Sequence, residues 1–371
     1  MKKPLIYAYV CAFLLLFVAP PLLFGLFGQY IDQTNYENRI IAEKPVLSVE
    51  TLTDFPAAYE AYYNDNLPFR TQMIEANGLI QYHLFRQSPV YKVLIGKDGW
   101  FFYNPAGSDG NPIADYSGTQ HYSAEALERC AANLLRARDQ LRAKGKEFVV
   151  FIAPNKSSIY GSRYLPPLYN RGMPETTADQ VVAYLRQNTD LTIVYPKDTL
   201  LQAVNTNPQE IYYYKTDSHW NALGACIGTK ELLGTLDISF PEPEQLQVTK
   251  TTPYSGGDLT GMMSLSKYLD DDFHYSVSGY ASTTPQPDYP IAGNTNLLHY
   301  SVPAADNRTL FMVRDSYATE MIPLLSTRFS NSYFAHISIW NPQLLNDYPA
   351  DVVVLEVVER YLYQLSGFTV E

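Results

Sequence analysis

The sequence predicts an α/β fold: a parallel sheet with helices on both faces. Three observations predict it. Short unbroken apolar runs recur, among them "EFVVFIAP" at 147–154, "LTIVYP" at 191–196, "RTLFMV" at 308–313, "NSYFAHI" at 331–337 and "ADVVVLEVVER" at 350–360. Such runs are how strands buried on both faces read. Segments of helical period alternate with them, as βαβ units require. Cap and turn residues stand at the ends of these segments.

The bulk composition is compatible with that class. With 371 residues, 46% hydrophobic and 18% charged, the chain is globular and has length for a sizeable core. A formal charge of −11 and no Lys/Arg run after residue 3 exclude a nucleic-acid footprint. The 31 tyrosines suit sugar contacts, and equally ordinary packing.

The elements follow in order. Lys2 and Lys3 precede an uncharged run from Pro4 to Ile31. A run of that kind, above about 20 residues, spans a bilayer, and flanking lysines favour the cytoplasmic side. A cleaved signal peptide is the rival, but its apolar region is shorter, about 7–15 residues, with a small-residue cut site. We read 1–31 as a cytoplasmic stub and uncleaved transmembrane signal-anchor. Residues 32–53 read as a polar stalk, and 54–371 as the extracytoplasmic domain, at the cell membrane.

Residues 55–85 read as helical with a break at "NDNLPFR", and 93–103 as a hairpin turning at Lys97-Asp98-Gly99. A loop fills 104–122. A capped helix runs from Ser123 to Gly145, basic in its last turns. Further helices are expected at 175–188, near 222–233 and near 317–328. Residues 235–307, rich in Pro, Thr, Ser, Asp and Gly, read as an irregular insertion with short strands at most. Cys11, Cys130 and Cys226 make no disulfide framework or metal knuckle, and a Cys130–Cys226 bridge stays open.

Two stretches carry chemistry. In "YKTDSHWNALGA", Asp217 stands two residues before His219. Side chains at i and i+2 of an extended segment point the same way, so the carboxylate can hold one imidazole nitrogen and leave the other as a base. The bland reading is a buried structural histidine. In "LFMVRDSYATEMIPLLS", Ser316 falls between a strand and a helix. That position surrounds a hydroxyl with unpaired N–H groups, as in a nucleophile elbow, though G-x-S-x-G is absent. The bland reading is a helix cap. Together the stretches give a Ser316–His219–Asp217 relay. No metalloprotease, P-loop or dinucleotide motif appears. Asp217 and His219 lack a third metal ligand at convincing spacing, so no metal or cofactor is expected. Asp270-Asp271-Asp272 reads as a solvated acidic loop.

These residues resemble a known group. "TDSHWN" at 216–221 and "RDSYA" at 314–318 look like the DHHW and AlgJ/AlgX-like branch of the SGNH hydrolase superfamily, which includes alginate O-acetyltransferases. "ENRIIAEKP" (37–45), "YYNDNLPFR" (62–70), "GKDGWFFY" (96–103), "APNKSSIY" (153–160), "GGDLTGMM" (256–263) and "ERYLYQL" (359–365) follow in order. The departure is Ser218, where the group's name has a second histidine. The resemblance implies an SGNH-like (flavodoxin-like) sheet with a rearranged motif order. It implies Ser316 as nucleophile, His219 as base and Asp217 as the orienting acid. Asn155, Lys156 and Arg314 become candidates for oxyanion or substrate contacts; Asp258 stays ambiguous. The implied function is acetyl transfer through a serine ester to a cell-surface polysaccharide, with the donor relayed by a multi-pass membrane acyltransferase. An acetyl-esterase and a non-catalytic glycan-binding or assembly protein are the alternatives.

Overall fold

The computed structural model describes residues 3–32, 40–107, 110–169, 175–242, 245–254, 257–270, 272–281, 285, 288 and 296–371. Lys2, residues 33–39 of the expected stalk, Gly256, Asp271 and most of 282–295 lie outside them. The chain divides into two compact units, residues 1–90 with 260–266, and residues 91–259 with 267–371.

In the first unit, α1 (Lys3–Phe27) is long and apolar enough to cross a membrane. Its Leu, Val, Phe and Tyr side chains are largely exposed. α2 (Phe55–Asp65) and α3 (Arg70–Phe85) are separated at the expected break. Phe69 takes a positive φ of 60° there, just after Pro68, which has no N–H to continue a helix.

The second unit is built on a six-stranded sheet. Its first two strands stand apart from that sheet: β1 (Val93–Ile95) and β2 (Phe101–Tyr103) form the expected antiparallel hairpin. Asp98 and Gly99 both have positive φ, as a type I′ turn requires. The next strands are β3 (Glu147–Ala153) and β4 (Thr192–Val194). β5 (Gln247–Thr251) and β6 (His274–Ser278) pair as a separate antiparallel ribbon. β7 (Leu297–Ser301), β8 (Asp306–Arg314), β9 (Phe329–His336) and β10 (Val352–Val358) complete the set. The large sheet has the order β4-β3-β10-β8-β9-β7, parallel except for β7, which runs antiparallel along β9. Residues 297–301, read from sequence as part of an insertion, are thus an edge of the main sheet.

A short helix, α4 (Pro112–Tyr116), lies within the expected loop 104–122. The α/β reading holds at the level of single side chains. Val149 and Phe151 of β3 and Val352 and Val354 of β10 pack on one face, against α6 (Lys156–Tyr164), α8 (Lys197–Thr206) and α9 (Ala222–Thr235). Their neighbours Val150, Ile152, Val353 and Leu355 face the other way, onto α5 (Ala124–Ala143) and α7 (Thr177–Asn188). That alternation is the period of two of a strand. α5 begins where Ser123 accepts the Ala126 N–H and buries Cys130, Leu134, Ala137 and Leu141. α7 carries a capping box between Thr176 and Asp179. Cys130 and Cys226 are free thiols in the cores on opposite faces, so the sheet separates them and no bridge forms.

α6 and α8 were not legible in the sequence. The segment "KSSIYGSRY" has Ser, Tyr and Gly where strong helix formers are expected. Burial carries it instead: Ile159 and Tyr160 are 2% and 1% exposed. The helix expected at 317–328 is shorter in fact. A 3-10 stretch, Ser316–Glu320, leads into a four-residue helix, Ile322–Leu325. Pro323 sits in the first turn of that helix, where its missing N–H cannot bond back into the stretch before it.

Candidate active site

The site forms at the carboxyl end of β8, where a loop after α8 meets it. That loop, 207–221, folds back on itself: Tyr213 and Trp220 bridge, and the Tyr214 N–H donates to the His219 carbonyl at 3.2 Å. A buried ammonium fills the fold. Lys156 Nζ donates to the carbonyls of Tyr214 (3.0 Å), Lys215 (3.1 Å) and Asp217 (2.6 Å). Burial pulls the Lys156 ammonium down to about 8, against the attraction of Asp258, Asp217 and Asp272. Asp272 holds the loop from another side, accepting from the Thr216 N–H (2.9 Å) and hydroxyl (3.0 Å). It is fully buried, so this part of the acidic run is a brace and not a solvated loop.

The serine is set by the sheet. The Asp315 N–H donates to Glu356 Oε2 at 2.8 Å. The Asp315 carboxylate accepts from the Tyr317 and Val358 N–H groups, each at 2.7 Å. The Glu356 and Val358 bonds pin Asp315, at the end of β8, to β10, and the Tyr317 bond closes the turn around Ser316. Arg314 does not pair with the Asp315 carboxylate. Its Nη1 donates to the Asp315 carbonyl (3.2 Å) and to Thr319 Oγ1 (3.4 Å).

Two bonds lock the loop onto this strand end. Trp220 Nε1 donates to the Tyr317 carbonyl at 2.7 Å, and the Tyr317 hydroxyl donates to the Ser218 carbonyl at 2.5 Å. The result brings together the three side chains that the sequence singled out. Ser316 Oγ lies 2.8 Å from His219 Nε2, and His219 Nδ1 lies 2.7 Å from Asp217 Oδ1. Oδ1 of Asp217 also accepts the His219 N–H (2.9 Å), and Oδ2 accepts the Asp258 N–H (2.9 Å). The imidazole is about a quarter exposed, so it reaches solvent or a ligand on one side.

The electrostatics follow. Burial alone would push the Asp217 carboxyl up. The hydrogen bond and charge of His219, with the N–H groups of Asp258 and His219, outweigh it and hold the carboxyl at about 2. Burial pushes the His219 imidazole down, but Asp217 and then Asp258 raise it above its ordinary value. Asp258 itself is raised, by burial and by repulsion from Asp217.

Asp258 is the group that sequence reasoning left unplaced. It stands 41 residues after Asp217, with Oδ2 3.8 Å from His219 Nδ1. Its Oδ1 accepts the Ser218 N–H (2.6 Å) and its Oδ2 the Ser218 hydroxyl (2.5 Å). Ser218, the residue that departs from the family pattern, is thus the link to a second carboxylate. Asp217, His219 and Asp258 also bring one donor atom each within 4.8 Å of one another, the third candidate metal ligand that the spacing did not reveal. Hydrogen bonds already occupy all four carboxylate oxygens. Asn155 stands just before α6 and lines one small cavity with Ser218, Tyr317 and Arg360. Its Oδ1 accepts from Arg360 Nη1 at 3.3 Å.

The sequence profile of the ALGX family, "SGNH hydrolase-like domain, acetyltransferase AlgX", matches residues 93–298, more than half of the chain. The chain belongs to the ALGX family. The ALGX match includes Asp217 and His219 and ends before Ser316. A curated relative, "Probable alginate O-acetylase AlgJ" of Pseudomonas syringae pv. tomato, is 25% identical over 248 residues, 64% of this chain and 56% of that protein. The chain spans little more than half the length of most of the curated relatives it matches. Among solved structures, a DHHW family protein from Eubacterium siraeum has a TM-score of 0.54 at 14% identity, over 76% of this chain and 97% of that one. PatB1 of Bacillus cereus, solved with a sulfonyl adduct, has a TM-score of 0.53 at 16% identity, over 75% and 99%. At such identities the likeness to these two is one of fold, and it agrees with the SGNH-like α/β sheet of this ALGX chain.

Proposed function

We propose that this chain is a membrane-anchored, extracytoplasmic O-acetyltransferase acting on a polysaccharide, with Ser316, His219 and Asp217 as its catalytic groups. The observation that carries this reading is the unbroken hydrogen-bond chain from Ser316 through His219 to Asp217 in an ALGX member. The naming of its curated relatives as alginate O-acetylases supports the reaction class. α1 serves as the anchor, residues 32–53 as the stalk, and a multi-pass membrane acyltransferase as the source of acetyl.

The geometry suits a two-step transfer. Ser316 Oγ attacks the acetyl carbonyl of the donor while His219 Nε2 takes its proton and passes it to the leaving group. An acceptor sugar hydroxyl then attacks the acetyl-serine. His219 takes the hydroxyl proton and returns it to Ser316 Oγ as the sugar acetate departs. Asp217 holds the imidazole in the tautomer with Nδ1–H and stabilises the imidazolium formed in each step. Asn155 is the oxyanion donor of this reading: Arg360 takes its amide oxygen, which leaves the amide N–H₂ as the donor end. Lys156 enters as a positioning residue, since its ammonium is spent on three loop carbonyls, and so does Arg314, whose Nη1 is held by the Asp315 carbonyl and the Thr319 hydroxyl.

The test is to incubate the protein with p-nitrophenyl acetate, with and without an oligosaccharide, and weigh protein and sugar. One acetyl group on the wild-type protein, none on Ser316→Ala, and acetyl on the sugar are expected. Release of free acetate alone would make it an esterase. Unchanged glycan acetylation in cells carrying Ser316→Ala would end the enzymatic reading.

A further inference from the structure

The sheet brings two motifs together at its carboxyl end, "APNKSSIY" leaving β3 and "ERYLYQL" leaving β10. β3 and β10 are parallel neighbours, with Ala153 in register with Val358. Asn155 therefore follows one strand where Glu359 and Arg360 follow the other.

Those two residues hold Asn155 by both its backbone and its side chain. The Asn155 N–H donates to Glu359 Oε2 at 2.6 Å, and Arg360 Nη1 donates to Asn155 Oδ1 at 3.3 Å. The Ser158 hydroxyl reaches the same Glu359 oxygen at 2.5 Å, and the Tyr195 hydroxyl donates to the other. Glu359 thus grips the first turn of α6, the end of a helix that favours negative charge. Arg360 Nη1 also donates to the Tyr317 hydroxyl at 3.2 Å, which ties Asn155 to the residue after Ser316.

Both groups are nearly closed to solvent, Glu359 at 2% and Arg360 at 8% exposure. Burial opposes the Arg360 charge, but Tyr317, Tyr361 and Asp315 outweigh it and raise its pKa above the ordinary value. Burial lifts the Glu359 carboxyl to about 7; Lys197 and the Ser158 and Tyr195 hydroxyls favour its charge, and Asp115 opposes it. Two ionisable groups are kept in the interior, at a cost in desolvation, and both bond to one asparagine.

What they leave is a single donor. An asparagine at a helix N-cap ordinarily accepts an N–H from the first turn, but the Asn155 side chain makes no such bond. Among the described residues its amide nitrogen has no acceptor. The amide cannot turn end for end, because that would set its N–H₂ against the guanidinium, donor to donor.

We infer that Glu359 and Arg360 are positioning residues, a two-residue clamp that fixes Asn155 with its amide nitrogen free for the oxyanion formed at Ser316. The inference rests on the acetyl-transfer reading above, in which Asn155 is the oxyanion donor. Steady-state turnover of p-nitrophenyl acetate by the full-length protein tests it, beside the mass of the acetylated protein. Asn155→Ala should lower kcat about 100-fold and leave KM within about three-fold, since the oxyanion exists only in the transition state. Arg360→Lys keeps a buried cation without the planar fork, and Glu359→Leu removes the acceptor. Each should lower kcat about ten-fold or more, with KM again little changed. Glu359→Gln still offers one oxygen to Asn155 and Ser158, and should return kcat to within about five-fold of wild type. If Glu359→Leu does not fold, Arg360→Lys and Glu359→Gln decide.

The double variants separate a clamp from a merely structural role. Once Asn155 is alanine, Arg360→Lys and Glu359→Leu should cost less than about three-fold more, because they act through the side chain already removed. Losses that multiply, losses confined to KM, or no rescue by Glu359→Gln overturn the clamp. Asn155→Ala within about three-fold of wild type also overturns it, while an acetyl group on Ser316 still upholds the transfer reading. No acetyl group on the wild-type protein ends the transfer reading and the clamp with it.

Discussion

Replacing Asp217 with asparagine keeps the outline of the carboxylate and removes its charge. In the wild type that carboxyl drops from its ordinary 3.8 to about 2 despite burial. At about 1.4 kcal/mol per pH unit, the drop corresponds to about 2–3 kcal/mol, most of it interaction with His219. An imidazolium formed during the reaction loses a similar amount in the variant, roughly 30- to 150-fold in rate. Loss of control over the imidazole tautomer adds to this, so kcat/KM should fall on the order of 10³-fold or more. The signs are fixed by the structure. His219 must be neutral to act as base, and Asp217 raises its pKa above the ordinary 6.5. Without that carboxylate, burial dominates and the acid limb of the rate profile moves to lower pH. The stability that the ionised Asp217 contributes is present above pH 3.8 and is lost as pH falls toward about 2. The variant should therefore be less stable than wild type at neutral pH, with the gap closing across that acid window. The assay is the pH dependence of p-nitrophenyl acetate turnover, beside urea melts at pH 7 and pH 3. An acid limb that stays put or moves up, with kcat/KM within three-fold of wild type, would refute the relay.

Glu356 is fully buried, and burial with the charge of Asp315 pushes its carboxyl well above the ordinary range, which favours the neutral form. Glu356→Gln should cost under about 1 kcal/mol, whereas Glu356→Leu strands the Asp315 N–H and should cost about 1–3 kcal/mol; thermal melts rank the two. Lys156→Met leaves three loop carbonyls without their donor and should cost about 2–4 kcal/mol together with ester turnover, read by melting and by p-nitrophenyl acetate kinetics. At Gly257 an added Cβ would sit 2.5 Å from the Thr216 carbonyl, so Gly257→Ala must push the Asp217 loop or Asp258 aside. A loss of about 1–3 kcal/mol and a fall in kcat/KM are expected, and wild-type values for both would contradict the packing described.

The sequence by itself determined the sheet class, because period and continuity are local properties. The unbroken run of β10 and the capped stripe of α5 state their burial in consecutive residues. It also determined three candidate catalytic groups, since Asp217 and His219 are two residues apart and Ser316 stands at a visible strand-to-helix change. Tertiary structure alone decided what holds them. Asp258 reaches Asp217 and Ser218 across forty-odd residues, Lys156 reaches into a loop some sixty residues away, and Arg360 meets Tyr317 from the end of a different strand. The same holds for β7, which becomes a sheet edge only because β9 offers it a partner. A hydrogen bond or ion pair between distant residues leaves no period in the chain. Its energy depends on distances that exist only once the sheet has brought the strand ends together.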